Sequence, residues 1–150
     1  MLSGKLIELI QRNSDQLAER VIQKIHRNPA MPVLAERSDH ELRVWCGHIL
    51  GDLGSLLAGE HPEDTRQGFR AAGQQRFEEG VPLHEAVLRF QILRNTIAQF
   101  LDEHILPVDS LHLYAAEEVE RGLSRLFDSL VYSLVVGYEK ALRGGISRAA

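Results

Sequence analysis

A chain of 150 residues, 44% hydrophobic and 25% charged, is long enough to bury a core without disulfides or metal and too apolar to be disordered, so it reads as one folded domain. Its net charge of -4, with Lys and Arg spread along the sequence, offers phosphate backbones no basic run, which sets nucleic acid aside as a direct partner. Cys46 stands alone, so an internal disulfide and a multi-thiolate metal site are excluded and a reducing compartment is expected. No signal-peptide pattern opens the chain, and its most apolar window, residues 126–138, contains Asp128, Ser129 and Ser133 and is too short to span a bilayer. A cytoplasmic domain without membrane contact is the expectation.

Apolar residues recur at three and four positions and no segment alternates as a strand would, which predicts an all-α fold of five helices, either a bundle or globin-like, with a long C-terminal helix. The first helix is predicted from Gly4 to Arg27, with Leu6, Ile10, Leu17, Val21 and Ile25 on one stripe, and Asn28-Pro29 stops it. Ser38-Asp39-His40-Glu41 has the form of a capping box and starts a second helix reaching about Gly59. A third covers about Asp64 to Glu79, with small residues between Phe69 and Phe77, and Gly80 stands where a left-handed C-cap is expected. The fourth starts near Pro82, has Glu85 in its first turn, turns Leu83, Val87, Phe90, Leu93 and Ile97 inward, and ends before Pro107. The fifth opens at Asp109 or Ser110 and runs to Arg143, where Gly144-Gly145 releases the chain. The domain is thus residues 1–143, and residues 144–150 form a flexible tail or the start of a linker.

Few residues form a chemical constellation. Gly47, Gly51 and Gly54 share one face of the second helix at a cost of about 1 kcal/mol each relative to alanine, so a neighbouring helix, or less simply a flat ligand, is expected to press on that face. The seven histidines form no HExxH or CxxCH pattern. His40, His61 and His112 fall at helix starts or in a loop, leaving His48, His84 and His104 as formal ligand candidates, and Cys46 and His48 diverge on a helix. No phosphate loop, nucleophile elbow or dinucleotide fingerprint is present, and the pairs Glu78-Glu79 and Glu117-Glu118 diverge as solvated faces. No catalytic residue and no metal site are assigned. In the fourth helix Gln91, Arg94 and Asn95 make a polar cluster whose simplest reading is structural hydrogen bonding and whose alternative is a signal-sensitive contact.

The fifth helix carries two apolar stripes, Leu123, Leu126, Leu130, Leu134 and Ala141 beside Phe127, Val131, Val135, Tyr138 and Leu142. One stripe serves the domain core, and the second is assigned to a two-fold homodimer, the alternative being a helix buried centrally in the monomer.

The stretch QQRFEEGVPLHEAVLRFQILRNTI, with LAERVIQKIHRNPAMP, SDHELRVWCGHILGDLGSLL and VYSLVVGYEKAL around it in that order, resembles the N-terminal sensor domains of RsbT co-antagonist proteins, the RsbR/RsbRD group of stressosome regulators. The resemblance covers nearly the whole chain. The family-like positions are Arg76, Gly80, Leu83, Glu85, Leu93 and Arg94, while Pro82 departs from the small hydroxyl residue common at its position. The resemblance implies a dimeric, globin-like, non-enzymatic sensory domain, generally without haem, that acts on a protein partner or on a fused output module such as a STAS domain or a histidine kinase. No output module lies within the 150 residues, so the chain reads as a stand-alone homologue or as part of a longer protein. Two alternatives stand beside this: a haem-binding globin-type gas sensor ligated by His84 or His104, and the sensor segment of a histidine kinase.

Overall fold

The computed structural model describes residues 2–104 and 110–149, with the side chains of residues 2 and 146–149 excepted. Among the described residues there are eight helices and no strand: α1 (Leu2–Arg12), α2 (Ser14–Arg27), α3 (Pro32–Ala35), α4 (Asp39–Gly51), α5 (Leu53–Ala58), α6 (Pro62–Glu78), α7 (Leu83–His104) and α8 (Ser110–Ala149). The fold is all-α, as the periodicity predicts, and more segmented than the five helices expected. The first predicted helix breaks at Asn13, whose side-chain amide donates to the Leu9 carbonyl at 2.8 Å and competes with continuation of the backbone ladder. The second breaks at Asp52, and the Gln11 side chain from α1 satisfies the loosened carbonyls of Leu50 and Gly51 at 3.1 and 2.9 Å.

Helix α8 spans 40 residues, about 60 Å at 1.5 Å per residue, and is the spine against which α1, α6 and α7 pack, while α2 lies between α4 and α7. It passes through Gly144 and Gly145 instead of ending at Arg143, because neither glycine takes the positive φ that would turn the chain out of the helix. The expected cap at Asp109 and the stop at Pro107 lie outside the described residues. Among the described residues no helix is long and apolar enough to cross a membrane.

The core stripe of α8 draws on both predicted stripes: Val119, Leu123, Phe127, Leu130, Leu134 and Tyr138 are all buried. Spacings of three and four residues carry this line obliquely across the helix surface, so it takes Phe127 and Tyr138 from the set assigned to a subunit interface. Those two side chains are buried within the chain. Val131 and Val135 are half-buried, and Leu142 is 50% exposed.

The predicted glycine face on α4 and α5 makes no close backbone contact. A Cβ added to Gly47 or Gly51 meets nothing within 4 Å, and at Gly54 it would touch only Ile7 and Gln11 near the van der Waals distance. The close backbone contact lies elsewhere, between Gly73 of α6 and Gly137 of α8. A Cβ on Gly73 would fall closer than 3.0 Å to the Leu134 carbonyl oxygen, and one on Gly137 closer than 3.0 Å to that of Arg70. The small residues of α6 therefore let it settle directly on α8, and its apolar rings reach past that seam. Phe90 of α7 is the hub of the aromatic core, with ring centroids 5.1 Å from Trp45, 6.0 Å from Phe69 and 6.3 Å from Phe127.

Candidate functional site

The joint between α6 and α7 is built as the residues predict and then reinforced from two other elements. Gly80 has φ +78°, the Val81 amide donates to the Arg76 carbonyl at 3.0 Å, and the Gly80 amide donates to that of Phe77 at 3.0 Å. Together these bonds form a Schellman cap, which stops α6 and satisfies its last carbonyls. Val81 is buried in place of Leu83, which is 39% exposed, because the cap turns Val81 into the core and leaves Leu83 at the helix entrance. The Tyr138 hydroxyl donates to the Val81 carbonyl at 2.8 Å, fastening the joint to α8.

Glu85, placed in the first turn of α7, is fully buried and accepts from the amides of Val33 and Leu34 at 3.3 and 2.9 Å. These are unpaired donors at the start of α3, so one carboxylate complements two helix N-termini, its own and that of α3. One turn further on, Arg89 is 4% exposed. Its guanidinium carbon stands 4.1 Å from the centroid of the Trp45 ring, and its Nε has no hydrogen-bond partner. Among the described residues no carboxylate pairs with it. Burial first, and then the charge of Arg76, bring its pKa down to about 10, so it stays a cation at neutral pH. Glu79 is shared by Arg76 at 3.1 Å and Arg37 at 3.6 Å. Two guanidiniums thus share one acid close enough to Arg89 for their charges to act on it, with Glu41 3.8 Å from Arg37 at the surface.

Arg89, Arg76, Trp45 and His48 border two clefts between α4 and α6. The first, of about 470 Å3, has apolar walls of Trp45, Ile49, Leu56, Phe69, Phe90 and Leu134, with exposed His48, Asp52 and Asp64 toward solvent. The second, of about 480 Å3, is more polar than the first, lined among others by Arg37, His40, Glu41, Gln75 and Glu79. α6 rests on α8 and α4 on α2, so these two helices face each other across open space. Two neighbouring groups are held protonated: burial raises the Cys46 thiol and the Tyr138 phenol each to about 12. Cys46 is therefore a packing residue here, not a nucleophile. What the cleft presents is fixed positive charge beside aromatic and aliphatic surface, an arrangement suited to recognising an anion with an apolar body.

The other positions singled out from the sequence lie around this region or away from it. Arg76 and Gly80 belong to the joint, Glu85 supports it, and Leu93 is in the core. Arg94 is half-buried beside the exposed Gln91 and borders a small recess of about 140 Å3 with Asp128. Asn95 is exposed, so this polar cluster faces outward and the buried arginine of α7 is Arg89. Arg89 sits between hydrophobic neighbours in HEAVLRFQIL, and nothing in that pattern distinguishes it from a surface arginine on the opposite face. His84 Nε2 faces the Ala30 carbonyl at 2.9 Å, and His104 Nδ1 faces that of Phe100 at 2.8 Å. Each ring therefore donates to backbone through one nitrogen, and neither lines the two clefts. The Ser38 hydroxyl accepts from the Glu41 amide at 3.1 Å, while the Glu41 carboxylate turns to Arg37, so the serine half of the predicted capping box is present.

The family model for the RsbT co-antagonist protein rsbRD N-terminal domain matches residues 15–150. No curated protein and no solved structure matches the chain.

Proposed function

The chain belongs to the RsbT co-antagonist protein rsbRD N-terminal domain family, a stressosome-type signalling domain, and from that premise we propose a non-catalytic cytoplasmic sensor that forms a homodimer through α8 and controls a protein partner or a fused output module. The observation that carries this reading is the double use of α8. One face closes the core, while Tyr132 at 67% exposure, half-buried Val135 and Leu142 at 50% exposure follow one another at three and seven residues on another face. Apolar groups at helical spacing outside the core suit an isologous pairing of two α8 helices.

The signal path follows from the same helix. Tyr138 ties α8 to the α6–α7 joint, and Gly137 locks it against α6, so a change in how α6 sits reaches α8 directly. Packed helices shift between discrete arrangements more readily than they deform, and a shift or rotation of α8 is what a partner, a STAS domain or a histidine kinase would read. Light scattering at micromolar concentration tests the dimer. The expected mass is twice 16.9 kDa, and the double substitution Val135→Glu with Leu142→Glu reduces it to the monomer with unchanged helicity. A monomeric wild-type protein would remove the dimer from the proposal.

A further inference from the structure

We propose that the cleft between α4 and α6 is a binding site for a small organic monoanion with an apolar body, its anionic group held by Arg89 and Arg76 and its carbon body lying between Trp45, Phe69 and Phe90. Three independent observations converge on that chemistry. Arg89 is 4% exposed, has no acidic partner among the described residues, and keeps Nε buried and unpaired. A buried cation of that kind is completed by an anion. The space beside it, about 470 Å3, is of the size that holds one small organic molecule, and its walls are mostly aromatic and aliphatic. The acids of the cleft, Asp52 and Asp64, are exposed whereas Arg89 is buried, so the buried end attracts negative charge while the solvent-facing end repels it. A dianion with a carboxylate at each end is thereby disfavoured.

As the stimulus for α8, this ligand rests on the signalling function proposed above. The binding itself does not, because it is read without reference to oligomeric state or output. Trp45 is the single tryptophan of the chain and forms a wall of the site, so its emission reports occupancy.

The test titrates the purified protein with decanoate, 1-decanol and decanedioate, following Trp45 fluorescence and calorimetric heat. Decanoate is expected to bind saturably, and the alcohol and the dicarboxylate at least about tenfold more weakly, the scale set by leaving a buried charge unpaired or opposing like charges. Two variants separate recognition from folding. Arg89→Gln removes the cation and lowers decanoate affinity at least about tenfold. Gly68→Leu fills the apolar part of the cleft from α6, where an added Cβ meets nothing within 4 Å, and abolishes binding in a protein at least as helical as the wild type. Absence of decanoate binding by both readouts would overturn the proposal. So would decanol binding as tightly as decanoate together with an unchanged affinity in Arg89→Gln, since the cleft would then be a greasy surface without anion recognition. If the wild-type domain is monomeric yet binds decanoate, the site stands and the dimeric signalling mechanism falls.

Discussion

Replacing Arg89 by methionine should leave the domain as stable as it was or make it more so, against the ordinary cost of altering a buried residue. Burial and Arg76 hold the guanidinium pKa at about 10, roughly two to three units below its ordinary value, and at about 1.4 kcal/mol per unit the charge costs about 3 kcal/mol at neutral pH. Its contact with Trp45, at 4.1 Å from the ring centroid, returns about 2 kcal/mol for a desolvated cation over an indole. Methionine fills similar volume without the charge and keeps a favourable sulfur contact with the ring. The balance is a gain of about 1 kcal/mol, or roughly 2–4 °C in Tm for a domain of this size. Urea unfolding followed by far-UV circular dichroism measures it as a higher midpoint at unchanged slope. A loss of about 3 kcal/mol or more, the size seen when one partner of a satisfied buried ion pair is deleted, would refute the reasoning, because the guanidinium would then have its counter-charge within the fold. The same variant loses decanoate binding, so stability and recognition move in opposite directions, as they do where a site is held ready for a ligand.

Two further outcomes follow from the packing. Gly137→Ala drives a methyl group into the Arg70 carbonyl and should cost about 2–3 kcal/mol by forcing α6 off α8, whereas Gly47→Ala, open on its outer side, should gain up to about 1 kcal/mol; thermal melts of the pair give opposite signs if the seam is placed correctly. Glu85→Ala leaves the part-buried amide of Val33 and the buried amide of Leu34 without their acceptor and should cost about 2–3 kcal/mol, with hydrogen exchange accelerated first at those two amides; exchange as slow as in the wild type would show that the carboxylate does not hold α3.

Local chemistry made much of this protein legible from the chain alone. Periodicity declared the helices, Asn28-Pro29 and Ser38 marked a stop and a start, and Gly80 marked a left-handed cap because only glycine adopts that backbone without strain. The family was also legible, since the stretch around that glycine carries the resemblance and the family model matches residues 15–150. Decisions that depend on which faces meet were not. The fractures at Asn13 and Asp52 depend on side chains competing for carbonyls at points where the core changes direction. Glycines look alike in sequence, yet Gly47 faces open space and Gly137 faces a backbone.

The same limit explains the arginines of α7. Arg89 and Arg94 are five positions apart, and their helical angles differ by more than a right angle, so one enters the core while the other borders its outer recess. Which of them is buried depends on where α4 and α8 lie, and no residue near either arginine encodes that. Local patterns along the chain were enough for an all-helical signalling domain with a glycine joint at residue 80. That Glu85 clasps α3, that Phe127 and Tyr138 belong to the core, and that the Arg89 guanidinium stands against Trp45 in a cleft emerged from the packed helices alone, because burial and charge pairing are properties of surfaces brought together from distant parts of the chain.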